Sequence, residues 1–336
     1  MGHTTDMTLD DARALIARAI DKAEDIGMRG GVAVVGATGA LVSASRMDHG
    51  GAGGMARARS KAWIAATQQI PSLEHLSRMR TVAPPMVAGF TACSPEAVFP
   101  GAGGMPIRTG GDDVPGGGPV IAGIAASGAG IGPFVDYPGA DPRKLIADGK
   151  PANGEDLLVH YALAIAYEGQ HGDDLERWER AYGPFPADAG AGLGMAEPPP
   201  SRRQPEHLWA LAIADAAIAQ ARRRAVRIAV AIVDERGDPI QQDRMDGAPA
   251  ASVQVAEATA AAAATFACPS QEVAARYPGD GALVMLAATL PFRILAVPGG
   301  LPVDEDGRTV AAIGVAGVSP ELCAEIADGA RAALTA

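Results

Sequence analysis

Aromatic side chains are scarce in this chain: Phe, Trp and Tyr together supply 4% of its residues. Its cores must therefore be packed from Ala, Val, Ile and Leu, which a hydrophobic content of 48% provides in ordinary globular measure. Cysteine is nearly absent too. Cys93, Cys268 and Cys323 are odd in number and far apart, with no Cys-x-x-Cys pair, which excludes a zinc knuckle or a disulfide framework and leaves a reduced compartment as the expectation. Basic residues are outnumbered, 28 against 39, for a net charge of −11. A surface of that sign repels nucleic acid and anionic lipid. The longest apolar stretch, Ala282 to Val297, is broken by Pro291 and Arg293 and falls short of the ~20 residues a bilayer requires. The N-terminus shows no basic, apolar and small-residue series of the kind that directs export. A cytoplasmic protein without a membrane partner is expected.

What is present is a repeat. At 336 residues the chain suits two domains. Arg46-Met47-Asp48 recurs as Arg244-Met245-Asp246, and that shift of 198 residues holds without gaps on both sides. VAVVGATGALVSASRMD at 32–48 lies on VAIVDERGDPIQQDRMD at 230–246, with Val32, Ala33, Val35 and Gly39 matched identically. Two copies of one domain, duplicated and fused, explain so long a register.

Each copy opens with a helix. Thr8 is a suitable N-cap followed by Asp10 and Asp11, and Leu9, Ala12, Leu15, Ile16, Ala19, Ile20 and Ala23 share one helical face, with Gly27 as the stop. Val32–Val35 and Leu41–Met47 then predict a β-hairpin turned at Gly39. A second helix is expected over Met55–Gln69, and over the alanine-rich Ser252–Ala267. In copy two, strands are expected at Leu283–Ala287, Arg293–Val297 and Val310–Ala316, and a last helix at Pro320–Leu334. PGAGGMPI at 100–107 answers PGGLPV at 298–303, and AGIAAS at 122–127 answers IGVAGV at 313–318.

Copy one, 7–183, carries an insertion at about 128–154 before its own last helix, Glu155–Tyr167. A Pro/Gly/Ala-rich linker at 184–206 leads to copy two, 207–336. Insertions of that length serve as lids or as neutral surface loops.

The order of helix, V-A-V-V hairpin, R-M-D, lysine-bearing alanine-rich helix, P-G-G-x-P and a final I-G-V strand resembles the GlcG/HbpS-like family. The resemblance implies an α/β (α+β) fold: a tandem duplication of a profilin-like domain, each an antiparallel sheet flanked by helices. It implies self-association, here a copy–copy pseudo-dimer and further homo-oligomers. It also implies haem or another small molecule as ligand, since some members bind haem and others belong to catabolic operons.

The family's helix lysine corresponds to Lys61; copy two has Thr259 there. Arg59 likewise faces Glu257. This asymmetry makes copy one the expected ligand-bearing half, with the ligand held at the repeat interface. Arg46, Asp48, His49 and Lys61 form the candidate catalytic set, because Arg binds carboxylates in two-point fashion and imidazole titrates near neutrality. Arg59, Gly103 and Gly104, with Asp136 and Tyr137 of the insertion, are candidate ligand contacts. The bland alternative is open for each: Arg46 and Arg244 as hairpin scaffold, Lys61 as a solvated helix residue, His49 as an exposed loop side chain. For haem, none of His75, His160, His171 and His207 lies in a motif that dictates ligation, and aromatics are few; no metal site is assigned. Against the binding protein stands a catabolic lyase, isomerase or hydrolase for a small oxo- or carboxylate compound, without an obvious organic cofactor. The glycine runs lack the strand-to-helix setting of a phosphate loop.

Overall fold

The computed structural model describes residues 6–25, 28–79, 84–94, 97–109, 118–128, 154–166, 206–277, 281–290 and 292–333. Gly27, nearly all of the insertion with Asp136 and Tyr137, His171, and the linker up to 205 lie outside them. Two compact units divide the chain, Met1–Arg202 and Arg203–Ala336.

In the first unit the elements run α1 (Leu9–Asp25), β1 (Gly31–Gly36), β2 (Leu41–Arg46), α2 (Ala52–Gln68), α3 (Ser72–Met79), α4 (Pro84–Cys93), β3 (Gly104–Arg108), β4 (Val120–Ser127) and α5 (Gly154–Ala166). Thr8 caps α1 as the sequence predicts, its Oγ1 accepting from Asp11 N at 3.1 Å. The strands form an antiparallel sheet in the order β3-β4-β1-β2. One face of this sheet, with Val32, Val34, Ile107, Ile124 and Ala126, packs on Leu15, Ile16 and Ala19 of α1 and Leu157, Leu158 and Leu163 of α5. The other face lies under α2.

In the second unit α6 (Glu206–Arg223), β5 (Ala229–Asp234), β6 (Pro239–Arg244), α7 (Ser252–Phe266), α8 (Ser270–Arg276), α9 (Ala282–Thr289), β7 (Gly300–Glu305), β8 (Arg308–Ala316) and α10 (Pro320–Ala332) repeat the plan. Its sheet order is β7-β8-β5-β6, again antiparallel. The hairpin glycines have matching backbones, φ +86° at Gly39 and +87° at Gly237. The chain is thus a mixed helix and antiparallel-sheet protein built from two tandem domains.

The repeated Arg-Met-Asp also gains a reason. Met47 N donates to Gly30 O at 2.8 Å and Met245 N to Ile228 O at 3.0 Å, so each buried methionine ties the end of a hairpin back to its start.

Three sequence expectations are corrected. Leu283–Ala287 is helical, within α9; a short apolar run has no period that separates strand from helix, and Ala, Leu and Met favour the helix. Arg293–Val297 is no strand, and its Leu295 N donates instead to Ala258 O of α7 at 3.1 Å. α2 starts three residues earlier than expected, taking Gly53 and Gly54 into its first turn. A Cβ on Gly54 would lie 3.0 Å from Ser127 O, so that glycine permits close approach to the sheet rather than a loop.

The strand pairing also revises the repeat register in β4. Gly31 pairs with Ser127 and its counterpart Ala229 with Ala316, which places Ser127 on Ala316. Matching AGIAAS to IGVAGV errs by two residues. A two-residue slip leaves every side chain on its own face of the sheet, so hydrophobic pattern alone does not detect it.

Candidate functional site

Lys61 is the organising residue. It sits on the sheet-facing side of α2 and is 2% exposed, which sets aside the solvated-helix reading. Its Nζ donates to Glu155 Oε2 of α5 at 2.6 Å and to Ser127 Oγ at the end of β4 at 3.1 Å. The other carboxylate oxygen of Glu155 accepts from Gly128 N at 2.8 Å. Next to it, Asp156 Oδ1 accepts from Gly103 N. Gly103 has φ +99°, and a Cβ there would lie 2.6 Å from Ala126 O and 2.7 Å from Glu155 Cβ. Only glycine lets the β3 approach, β4 and the α5 N-terminus converge this closely. Gly104 is similarly restricted: a Cβ would lie 2.9 Å from Lys61 O. Both glycines therefore shape the wall beside Lys61.

One turn before Lys61 on the same helical face stands Arg57. Its Nε donates to Ser127 Oγ at 3.4 Å, and its terminal nitrogens make no hydrogen bond among the described residues. The Phe99 ring lies 5.8 Å from both the Arg57 guanidinium carbon and Lys61 Nζ. Phe99 is 47% exposed; Ser60 holds its strand-like approach in place, accepting from Phe99 N and donating to Ala97 O, each at 2.6 Å. A flat apolar ring at the surface beside a guanidinium with unused donors can seat a planar ligand and clasp its carboxylate.

Arg46 is buried at the end of β2. Gly31 lies between its strand position and that of Ser127 in one cross-strand row, so their backbones stand roughly 10 Å apart, two strand spacings. A Cβ on Gly31 would be 2.5 Å from Met55 Cα. The N-terminal turn of α2 thus separates Arg46 from the Lys61 cluster. Asp48 and His49 follow in the hairpin's exit turn, half-buried, where His49 has φ +60° and its copy-two counterpart Gly247 has +78°. A left-handed backbone costs a non-glycine residue about 1 kcal/mol or more. Arg59, two residues before Lys61, projects from another side of α2. His160 is buried on α5 and His75 on α3, while His207 begins α6 of the second unit.

The sequence reading missed Arg57, Phe99, Ser127, Glu155 and Asp156. A signal existed for two of them: the copies set Val255 opposite Arg57 at a shift of 198 and, where PGAGGMPI lies on PGGLPV at a shift of 196, Leu295 opposite Phe99. Ser127 was hidden by the two-residue slip, and Glu155 by the insertion before it. In the second unit Thr259 is fully buried and turned onto its own helix, donating to Ala256 O at 3.0 Å. Cys323 takes the place of Glu155, its Cβ position 3.4 Å from where a Cβ on Gly299 would be; burial pushes this thiol up. Arg244 donates to Ala248 O at 3.2 Å, closing its own turn, and burial lowers its pKa.

The family model described as haem degrading protein HbpS-like matches residues 7–131 and again 207–332. The chain belongs to the HbpS-like family, as two copies in tandem. Among solved structures, a double mutant of Streptomyces reticuli HbpS is similar at 31% identity, over 41% of this chain and 98% of that one, with a TM-score of 0.35. Klebsiella pneumoniae protein ORFY is similar at 25% identity, over 42% of this chain and 97% of that one, with a TM-score of 0.38. PduOC in complex with haem is similar at 27% identity, over 37% and 89%, with a TM-score of 0.34. No curated protein matches the chain. Among the described residues no helix is long and apolar enough to cross a membrane, and no group of three or more His, Cys, Asp or Glu side chains is placed to hold a metal ion.

Proposed function

We propose that this HbpS-like protein binds a planar ligand bearing carboxylates, haem among them, in its first copy. The observation that carries the reading is the Arg57–Phe99–Lys61 grouping, which copy two replaces with Val255, Leu295 and Thr259. Phe99 takes the face or edge of the ring. Arg57 takes a carboxylate through the two-point geometry of a guanidinium. Lys61, paired with Glu155 and held by Ser127, braces the floor of the site without being itself solvated. Gly103 and Gly104 keep the wall low enough for a flat molecule, and Asp136 and Tyr137 of the insertion are proposed to close over it. Haem fits this set by its ring and its propionates; the described residues assign no axial ligand to its iron. Bound haem would supply iron redox chemistry, while this chain's residues orient the macrocycle.

Titration with haemin, read as a saturable shift of the Soret band at one equivalent per chain, tests the reading. Metal-free protoporphyrin, followed by its fluorescence, is expected to bind as well, because ring and carboxylates do the recognition. Arg57→Gln and Phe99→Ala are each expected to weaken both about tenfold. Failure of both porphyrins to saturate removes the reading.

A second reading is favoured by the mutual hydrogen bonds of Lys61, Glu155 and Ser127. Three protic groups in one buried set can move a proton to or from a small oxo- or carboxylate substrate held by Arg57. We propose it as the enzymatic alternative, a lyase, isomerase or hydrolase, with the insertion as lid and with Arg46, Asp48, His49 and Arg59 as further candidates outside the Lys61 cluster. Turnover of small oxoacids that Lys61→Ala abolishes would favour it over simple binding. The cytoplasm and further homo-oligomers remain part of the proposal.

A further inference from the structure

We infer that the second copy carries a ligand site of its own, one that takes a small apolar monocarboxylate. An open surface depression of about 370 Å³ is lined by Ala287, Leu290, Phe292, Arg293 and Ile294, inside the ~300–1,000 Å³ span of small-molecule sites. Four of its five walls are apolar. α9, which contributes Ala287, is apolar from Ala282 to Ala288 with no residue buried, so it forms an open side rather than core.

The far side is fixed. The Phe292 ring rests on the β5–β6 turn, 3.4 Å from where a Cβ on Gly237 would be. Ile294 packs on the buried group of Ala262, Cys268 and Val273, and Leu295 N anchors the segment to α7 through Ala258 O. Arg293 is the one charged lining residue. It is exposed, and no hydrogen bond or ion pair engages it among the described residues. An open groove with four apolar side chains, one uncompensated guanidinium and no lining carboxylate suits a ligand with an apolar tail and a single negative head.

Copy one does not have this cavity's walls: Phe99 N on Ser60 answers Leu295 N on Ala258, a shift of 196 that sets the uncharged Ala97 opposite Arg293 and Val98 opposite Ile294. Each copy has thus kept a different site. The inference is independent of the reading given for Lys61.

Calorimetric titration of octanoate into the full chain tests it. The expected result is saturation at one site per chain, with 1-octanol and acetate each binding at least tenfold more weakly. Arg293→Gln should weaken octanoate at least tenfold, and Ala287→Phe should abolish its binding by filling the groove. Arg293 is exposed and unpaired among the described residues, so its replacement keeps the fold, which far-ultraviolet circular dichroism verifies. The inference is overturned by an absence of saturation or by equal affinity in Arg293→Gln and the parent, which would place the anion elsewhere.

Discussion

Lys61 Nζ and Glu155 Oε2 meet at 2.6 Å across 94 residues of chain, joining the middle of α2 to the first turn of α5. Both side chains are largely withdrawn from water, and each has a further partner in the β4 exit, Ser127 for the ammonium and Gly128 for the carboxylate. Breaking such a pair on one side strands a buried charge, at a cost of about 3–5 kcal/mol. Lys61→Met is therefore expected to destabilise the first unit by roughly that amount. Lys61→Met combined with Glu155→Gln should recover part of the loss. Urea unfolding of both variants measures the difference.

The corresponding place in the second unit has no carboxylate. Thr259→Lys would bury an ammonium against Cys323, and is expected to lose several kcal/mol. Adding Cys323→Glu should restore some of it. A double-mutant cycle with coupling near zero would refute the equivalence of Glu155 and Cys323.

Close helix–sheet contact rests on glycines whose missing side chains are irreplaceable. A Cβ on Gly123 would collide with Ala62 O and Ala66 N, and one on Gly314 with Ala256 O and Ala260 N. Backbone cannot yield as a side-chain tip can, so Gly123→Ala and Gly314→Ala should each cost about 1–3 kcal/mol or more. Thermal unfolding reports this as lower midpoints, whereas Gly51→Ala, with open space around it, should leave the midpoint within a degree or two.

His75 is buried against Phe90, its Nε2 without a hydrogen-bond partner among the described residues. Burial, assisted by Arg78, lowers its pKa from the ordinary 6.5. Below pH 6.5 the unfolded chain takes up a proton there that the folded chain refuses until lower pH. Stability is therefore full above 6.5 and falls as pH drops through the window beneath it. His75→Val, which copies Val273 of the second unit, should reduce the difference in urea midpoint between pH 7.5 and 5.5.

Much of the fold was legible because duplication writes the same constraints twice. Arg-Met-Asp, the hairpin glycines and the P-G-G-x-P turn mark framework, and what differs between copies marks chemistry, which is how Lys61 stood out. The logic stopped at Arg59, whose counterpart Glu257 made the more conspicuous contrast, while the guanidinium beside Lys61 belongs to Arg57. Helical geometry decides between them, since i and i+4 share a face and i and i+2 do not. Glu155 was illegible for a different reason. Its partner lies 94 residues away, and nothing local to GEDLLVH announces that the first turn of this helix points its carboxylates at Gly103 and Gly128.

Lysine occurs in this chain at Lys22, Lys61, Lys144 and Lys150 and nowhere after them. The burial of Lys61 thus makes it a natural reporter. An amine-selective acylating reagent should modify the half-buried Lys22 while sparing Lys61, until the α2–α5 junction opens. The rate at which Lys61 is labelled then measures how often that junction parts in the intact protein, and a molecule seated over Phe99 would slow the reaction in proportion to its occupancy.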